Sequence, residues 1–260
     1  MKVSVITVSF NSLNTIERTI HSVLNQTYSD IEHILVDGRS NDGTYQIIQK
    51  NINNISKFIC EKDNGIYHAM NKGIKASKGD IICILNSDDF FIDKNVITNV
   101  VKKFYENKKI DVIFSNIKFF EKINSKFKIT RIIKASIMTV NKFRFGWVPP
   151  HPGMFVKRDV YKKLGLYNEK YKNAADYDFI IKVFLSKIIK PYYFDKFTVL
   201  MQEGGKSNNG ILSIVINTKE IIAACLSNGI YTNYFLLSTR IPIKIIQRYI
   251  IKIFGNKKNV

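Results

Sequence analysis

The chain has 260 residues and a formal net charge of +19 at pH 7, from 40 lysines and arginines against 21 aspartates and glutamates. This length suits one large domain with a short appendage. The basic balance favours an anionic partner, which can be a nucleic acid, a phosphorylated substrate or an acidic membrane surface. No uncharged apolar run reaches the roughly 18 to 20 residues that a membrane-spanning helix requires, so any membrane contact is expected to be peripheral.

Three cysteines, Cys60, Cys83 and Cys225, lie far apart without CxxC spacing, and the first two lie in apolar strand-like runs. This usage is typical of reduced core residues in a cytoplasmic protein. The first residues enter a strand pattern directly, without the charged region, long apolar segment and small-residue cleavage site of a secretory signal. We therefore expect no such signal.

Strands alternate with helices in the first part of the chain. The predicted strands are residues 2–10, 31–36, 55–61 and 81–85. The segments between them have helical apolar spacing or turn residues followed by a short helix, and Asn11 is a candidate helix cap. This alternation predicts an α/β fold with a parallel, doubly wound sheet and right-handed crossovers, in which Ser9, Asp37 and Asp88 meet at one edge.

The fourth of these strands ends on two adjacent carboxylates, Asp88 and Asp89. Ligands of open α/β sheets bind at the carboxyl ends of the strands, and two adjacent like charges are best tolerated beside a cation or in water. One interpretation is therefore a divalent metal that carries a diphosphate. The alternative is a solvated pair that caps the next helix.

The second part of the chain has a weaker pattern. The predicted elements are a helix over 96–105, a strand over 111–115, antiparallel strands within 117–133, a Pro- and aromatic-rich loop over 145–153, a strand over 153–156, a short helix over 158–163, a helix that opens at 174–178, a strand over 192–201 and a Gly-rich loop over 204–210. No internal repeat is present.

Six motifs, taken in order, resemble those of the family 2 inverting glycosyltransferases of the GT-A fold, in the branch found in bacterial surface-polysaccharide clusters. The motifs are residues 5–11, 37–44, 65–73, 85–89, 151–153 and 175–178. The resemblance covers roughly residues 2–210. It implies a GT-A, Rossmann-like fold with a mostly parallel central sheet over residues 1–212, with a nucleotide-sugar-binding half to about residue 115 and an acceptor half beyond it. A helical basic and apolar tail over 213–260 follows.

The resemblance implies a metal-dependent hexosyl- or N-acetylhexosaminyltransferase. Asp89 matches the family acid that holds Mn²⁺ or Mg²⁺, and Asp88 matches the acid that lies against the ribose and diphosphate. A divalent metal neutralises the charge that grows on the leaving phosphate oxygens. Asn86 stands where the family often has an acid, which is consistent with a metal site of lower charge.

The same resemblance assigns the donor nucleotide. Asp37 matches the acid that accepts a hydrogen bond from uracil, and Ser9 and Asn11 match the loop that touches the nucleotide. Asn71 and Lys72 match the segment that crosses the donor site. The purely structural alternatives are a helix cap for Ser9 and Asn11 and an Asx turn for Asp37.

On the acceptor side, Asp176 matches the family base that takes the proton from an acceptor hydroxyl. Asp178, two residues later, is expected to be structural or to bind acceptor. His151 matches a position beside the acceptor pocket, where it contacts acceptor or diphosphate, and Lys206 and Ser207 lie on the loop that closes over the diphosphate. The alternatives are favourable charge at a helix N-terminus for the two aspartates and a packed loop histidine for His151.

The tail carries Lys244, Arg248 and Lys252 at four-residue spacing among apolar residues, the pattern of an interfacial helix on an anionic membrane. The alternative is a helix packed on the domain or on a second subunit in a homo-oligomer.

These observations predict an enzyme at the inner face of the cell membrane that transfers a sugar from a nucleotide sugar, UDP-linked by expectation, to a free or lipid-linked saccharide. The expected pathways make capsule, O-antigen or exopolysaccharide. One alternative is a polyprenyl-phosphate glycosyltransferase, whose acceptor needs no base such as Asp176. A second alternative, from another class, is a basic nucleic-acid-binding protein, but no recognisable binding motif supports it.

Overall fold

The computed structural model describes residues 1–123, 126–136, 138–204 and 211–240, with backbone alone for residues 211 and 212. The strands in this part of the chain are β1 (Val3–Ser9), β2 (Ile31–Asp37), β3 (Lys57–Cys60), β4 (Ile81–Ile84), β5 (Phe90–Phe91), β6 (Val112–Ile123), β7 (Lys126–Ile133), β8 (Met154–Lys157) and β9 (Pro191–Gln202). The α-helices are α1 (Ile16–Leu24), α2 (Thr44–Lys50), α3 (Ile66–Ala76), α4 (Val96–Glu106), α5 (Val140–Arg144), α6 (Arg158–Leu164), α7 (Ala175–Leu185), α8 (Ile211–Ser227) and α9 (Tyr234–Ser238).

All nine strands belong to one mixed sheet with the order β3-β2-β1-β4-β8-β6-β9-β5, and β7 pairs with β6. The first four strands are parallel to one another, and β6 is parallel to β9. Strand β8 is antiparallel to both β4 and β6, so it joins the two parallel groups. The α/β class predicted from the alternation of strands and helices is confirmed.

The carboxyl ends of β1, β2 and β4 lie side by side. Ser9 is in register with Asp37 across the β1–β2 pair. Beyond β4, the amide of Ser87 donates to the carbonyl of Val8 at 3.2 Å, which carries the acidic loop to the same edge. Helix α3 follows β3 and therefore also begins at this edge, as parallel crossover units require.

Apolar side chains cover both faces of the sheet. Every residue of β1 is buried, with Ile6 and Val8 in one core cluster and Val3 and Val5 in another, because successive side chains of a strand point to opposite faces. Helix α3 packs very closely on the face of the sheet that carries Ile6 and Val8. A β-carbon built on Gly73 would lie only 2.3 Å from Cγ2 of Ile6. This close approach fixes the position of the side chains that α3 contributes to the site.

The expectation that Asn11 caps the first helix is wrong. Helix α1 begins five residues later, at Ile16, after Thr15, and no side chain caps it. The Asn11 side chain instead accepts a hydrogen bond from the amide of Asn41 at 3.0 Å. The Asn11 side chain therefore joins the loop after β1 to the loop after β2.

Other expectations agree with the structure. The stretch 117–133 forms the antiparallel pair β6–β7, α7 begins at the predicted acidic segment, and α8 and α9 form a helical C-terminal part. No helix in the described ranges has both the length and the apolar character to cross a bilayer. The basic stripe predicted within residues 241–260 lies outside the described residues.

Candidate functional site

Asp37, at the end of β2, is completely buried and is held by hydroxyl and amide donors. Its Oδ2 accepts from Ser9 Oγ at 2.8 Å and from Ser40 Oγ at 2.7 Å, and its Oδ1 accepts from the Ser40 amide at 2.8 Å. These bonds make the local turn that the purely structural interpretation expects. They also fix one carboxylate at the strand edge, and the contact with uracil stays a prediction.

Two residues beside Asp37 have backbone conformations that are rare for side chains other than glycine. Asn11 has φ 51° and Arg39 has φ 63°, both in the left-handed region. The amide of Asn11 donates to Ser40 Oγ at 2.8 Å, which ties the loop after β1 to the loop after β2. Such conformations are costly and cluster at functional sites, where surrounding bonds hold them in place.

The loop after β4 contains two buried oxygens that accept no hydrogen bond from the described residues, Oδ1 of Asn86 and Oδ1 of Asp89. Asp89 is 1% exposed, its Oδ2 accepts a long bond, 3.3 Å, from Asn86 Nδ2, and the backbone of Gln202 also donates to its carboxylate. Burial raises the pKa of Asp89 well above its usual value, and the charge of Asp88 raises it further. Buried polar atoms are normally satisfied, so this pair of oxygens needs a partner.

A hard divalent cation suits these two atoms, because Mg²⁺ and Mn²⁺ prefer carboxylate and amide oxygens. Among the described residues, no group of three or more His, Cys, Asp and Glu side chains is arranged to hold a metal. A cation held by Asn86 and Asp89 would therefore need further ligands from water or from substrate phosphates, as Mg²⁺ commonly does.

Arg18 is a residue of this edge that sequence analysis missed. Its Nη2 donates to the carbonyl of Asp88 at 2.9 Å and to Oε1 of Gln202 at 2.8 Å, and its guanidinium lies 4.6 Å from the centroid of the Phe90 ring. Burial lowers the pKa of Arg18, while the charges of Asp88 and Asp89 oppose this effect. Helical periodicity placed Arg18 off the apolar stripe of α1, so local spacing carried no signal for the contact.

Asp176, in the first turn of α7, accepts a hydrogen bond on Oδ1 from the Tyr67 hydroxyl at 2.7 Å. Tyr67 lies at the start of α3 and is 7% exposed. Burial and the neighbouring Asp176 raise the pKa of Tyr67 well above its usual value, so it remains a donor. A cavity of about 180 Å³ opens beside it, lined by Asn64, Gly65, Ile66, Tyr67, His68, Glu169, Tyr171 and Lys172.

His151 is buried in a group of tyrosines close to Asp176. Its Nε2 lies 2.7 Å from the Tyr167 hydroxyl, which is 3.3 Å from the hydroxyl of Tyr161. Burial lowers the pKa of His151, and the charge of Asp176 opposes this effect. The packed-histidine alternative describes these contacts, while a contact with acceptor or diphosphate stays a prediction.

Two of the residues predicted to reach the donor are engaged by protein groups. The Asn71 side chain donates to the Tyr167 carbonyl at 2.9 Å and to Glu169 Oε1 at 2.7 Å, and it accepts from the Tyr167 amide at 3.0 Å. Lys72 Nζ lies 2.6 Å from Oδ1 of Asp63. The structure thus places both residues in contacts that position α3.

Asp178 is also engaged, because its Oδ1 accepts from Asn228 Nδ2 at 2.7 Å and its Oδ2 lies 2.7 Å from Lys182 Nζ. It is 2% exposed and links α7 to the end of α8. Asp178 was expected either to be structural or to bind acceptor, and these contacts are structural. Lys206 and Ser207 lie outside the described residues.

Comparisons with known proteins place these observations in a family. Residues 4–165 match the model of Glycosyl transferase family 2. An uncharacterized glycosyltransferase of Mycobacterium tuberculosis strain H37Rv is 31% identical over 185 residues, which are 70% of this chain and 69% of the relative. A PGL/p-HBAD biosynthesis glycosyltransferase of Mycobacterium bovis BCG is 24% identical over 212 residues, 80% of each chain.

Solved structures show the same fold. Residues 1–349 of TarS from S. aureus, in complex with UDP-GlcNAc, align with a TM-score of 0.66 and 21% identity over 87% of this chain and 67% of that one. The alignment with a longer TarS structure also covers 87% of this chain, but it covers 40% of that structure. The mannosyltransferase PcManGT from Pyrobaculum calidifontis, in complex with GDP-Man and Mn²⁺, aligns with a TM-score of 0.64 and 16% identity over 87% and 63%. The predicted GT-A fold is confirmed.

Proposed function

Because the chain belongs to glycosyl transferase family 2 and is a glycosyltransferase, we propose that it moves one sugar from a nucleotide sugar to a saccharide acceptor with inversion. The observation that supports this proposal is the environment of two carboxylates, Asp89 and Asp176. Asp89, with Asn86 beside it, follows β4 and has a buried oxygen without a partner among the described residues. Asp176, in α7, is hydrogen-bonded to Tyr67 in the first turn of α3, the helix that begins at the same edge of the sheet.

For the donor we propose a UDP-sugar. Asp37 supports this, since its carboxylate is fixed at the strand edge by Ser9 and Ser40 and a buried acceptor suits the imide N–H of uracil. The TarS structure in complex with UDP-GlcNAc has the same fold. In this proposal Asn11 and Asp88 border the nucleotide, and Arg18 holds the backbone of the acidic loop in place through the carbonyl of Asp88.

We propose that Asn86 and Asp89 hold Mn²⁺ or Mg²⁺, which when bound neutralises the charge that grows on the leaving diphosphate. Their two unsatisfied oxygens support this role. Binding of the cation would also keep the Asp89 carboxylate ionised despite its burial, because a neighbouring positive charge favours the charged form.

In this mechanism Asp176 accepts the proton from the acceptor hydroxyl as its oxygen attacks the anomeric carbon from the face opposite the leaving group. Tyr67 orients the carboxylate by holding Oδ1, which leaves Oδ2 for the acceptor. The acceptor that we propose is a growing surface polysaccharide or its lipid-linked precursor. Such an acceptor would be used at the inner face of the cell membrane by a peripheral enzyme, and the similarity to a PGL/p-HBAD biosynthesis enzyme is consistent with it.

A screen of nucleotide sugars for slow hydrolysis tests the proposal. We expect release of UDP from one UDP-sugar, loss of this activity with a chelator and recovery with Mn²⁺ or Mg²⁺. Turnover of a GDP-sugar alone would contradict the assignment of Asp37, and hydrolysis that is insensitive to chelator would contradict the metal. Transfer to a polyprenyl phosphate at the same rate in Asp176→Asn would favour an acceptor that needs no base.

Tyr67→Phe tests the positioning of the base. The variant keeps the buried ring but loses the hydrogen bond to Asp176, and bonds to charged groups contribute roughly 1.5 to 3 kcal/mol, so we expect kcat for transfer to fall by about 10- to 100-fold. The Kd for UDP, measured by calorimetry, is expected to stay unchanged.

Tyr161→Phe is the matched control, because it removes a buried hydroxyl whose partner is Tyr167 and not Asp176. We expect it to retain kcat. If Tyr67→Phe lowers the melting temperature and leaves kcat at the control's value, the hydroxyl stabilises the fold and does not orient the base.

A further inference from the structure

Exposed aromatic side chains gather on the segment after α5, on α9 and on the loop just before α9. We define the aromatic surface as Phe145, Trp147, Tyr231, Tyr234 and Phe235. Phe235 is 79% exposed, Tyr231 is 61% exposed and Tyr234 is 57% exposed. Exposed apolar groups in one patch are unusual on a soluble domain and mark a surface that meets a partner.

The two parts of this surface are held together by specific contacts. Arg144, at the end of α5, donates from Nε to the carbonyl of Tyr231 at 3.1 Å, and its guanidinium lies 5.8 Å from the ring centroid of Tyr231. Gly146, between the two aromatic residues after α5, packs on Arg240, since a β-carbon there would lie 2.5 Å from Arg240 Cδ. The two segments that carry the aromatic surface therefore lie side by side.

The charge of this region has one sign. The segments 138–148 and 226–240 contain Lys142, Arg144 and Arg240 and no aspartate or glutamate. The chain continues directly from Arg240 into residues 241–260, which contain five lysines and arginines and no acid. A partner of this surface must accept aromatic side chains and carry negative charge.

We propose that the aromatic surface docks on an anionic lipid bilayer. Tyr and Trp favour the boundary between lipid headgroups and acyl chains, where a ring has an apolar body and a polar edge. Basic residues beside them are attracted by anionic lipids, and an apolar face with cations is the usual composition of a protein surface that lies on a membrane.

Two other partners fit these observations less well. A symmetric dimer through this surface would place the same cations of two copies against each other, because an isologous interface pairs a patch with itself. Single-stranded nucleic acid binds by stacking bases on free aromatic rings. Here the Tyr231 ring already carries Arg144 and its hydroxyl accepts a bond from Asn233 Nδ2 at 3.1 Å.

The aromatic surface is linked to the catalytic side of the molecule. The hydroxyl of Tyr177, the residue after Asp176, donates to the carbonyl of Phe143 in α5 at 2.7 Å. Docking would thus bring α7 close to the bilayer, where a lipid-linked saccharide presents its hydroxyl. This inference rests on the membrane location in the proposed function and adds the surface that would bind the lipid. Binding to lipid requires neither donor nor acceptor, so it is measured without them.

Co-sedimentation of the full chain with vesicles tests the inference. We expect binding to vesicles of equal parts phosphatidylglycerol and phosphatidylcholine and much weaker binding to phosphatidylcholine alone. The double variant Tyr234→Ser/Phe235→Ser should bind the anionic vesicles about tenfold more weakly or worse, because two apolar rings are lost from the interface. Both residues are well exposed, so we expect an unchanged melting temperature and unchanged hydrolysis of the donor.

The matched control is Tyr105→Ser. This variant removes a ring that is 55% exposed on α4 and does not belong to the aromatic surface. It should sediment like the original protein. Three results would overturn the inference: equal sedimentation of the double variant and the control, a dimer in sedimentation velocity that the double variant abolishes, or tighter binding to a single-stranded oligonucleotide than to anionic vesicles at the same ionic strength. If the original protein hydrolyses no nucleotide sugar but binds anionic vesicles, the proposed function is wrong and the inference about lipid binding still holds.

Discussion

Asp89→Ala is expected to lower the turnover of sugar transfer by about 10²-fold or more, the scale of losing a key electrostatic stabiliser of the transition state. The variant removes one of the two buried oxygens that lack a hydrogen-bond partner among the described residues. The measurement is kcat at saturating donor and Mn²⁺. A direct readout is the fraction of Mn²⁺ bound in the presence of UDP, followed by electron paramagnetic resonance, and we expect this fraction to fall in parallel.

The matched control is Asp159→Ala, because Asp159 is an exposed acid whose partner is Lys162 on the same helix. Surface ion pairs contribute little, so kcat and Mn²⁺ binding should remain those of the original protein. If neither Asp89→Ala nor a chelator changes kcat, the metal role of this loop is wrong.

Asp176→Asn is expected to lower the rate of transfer by roughly 10² to 10⁴, because an amide cannot accept the proton that the transition state releases. Asparagine preserves the size of the side chain and can still accept the bond from Tyr67. The Kd for UDP should change little, since only the chemical step requires the base. Single-turnover transfer and calorimetry measure the two quantities separately.

Asp178→Asn gives the comparison that distinguishes the two acids of α7. Asp178 pairs with Lys182 and Asn228, so its amide variant should lower the melting temperature while the folded fraction keeps its kcat. A loss of UDP binding in Asp176→Asn as large as its loss of rate would place Asp176 in the nucleotide site instead.

The strand edge was predictable because its signals are local. A run of apolar residues that ends on Asp88 and Asp89 defines both a strand and the chemistry at its end within nine positions of the sequence. The alternation of strands and helices then placed Asp37 at the same edge, and the structure agrees. The resemblance of motifs supplied the family and the assignment of Asp176.

The contacts that complete the site were not predictable, because they join distant positions. Tyr67 meets Asp176 across 109 residues, and Arg18 meets Asp88 across 70. Helical spacing marks Tyr67 as one more core aromatic and Arg18 as a surface cation. The contacts of Asn71 were unpredictable for the same reason, since its partners, Tyr167 and Glu169, lie 96 and 98 positions further along the chain.

Strand β8 has a consequence for anyone who would recombine this enzyme with a relative. It comes from the second half of the chain, yet it pairs with β4 of the first half and with β6. In a chimera joined near residue 115, β8 from one protein would have to pair correctly with β4 from the other. Either part expressed alone would expose unpaired, apolar strand edges, which promote aggregation. To exchange substrate preferences between relatives, we therefore expect replacement of the loops at the sheet edge to succeed more often than replacement of the whole first or second part of the chain.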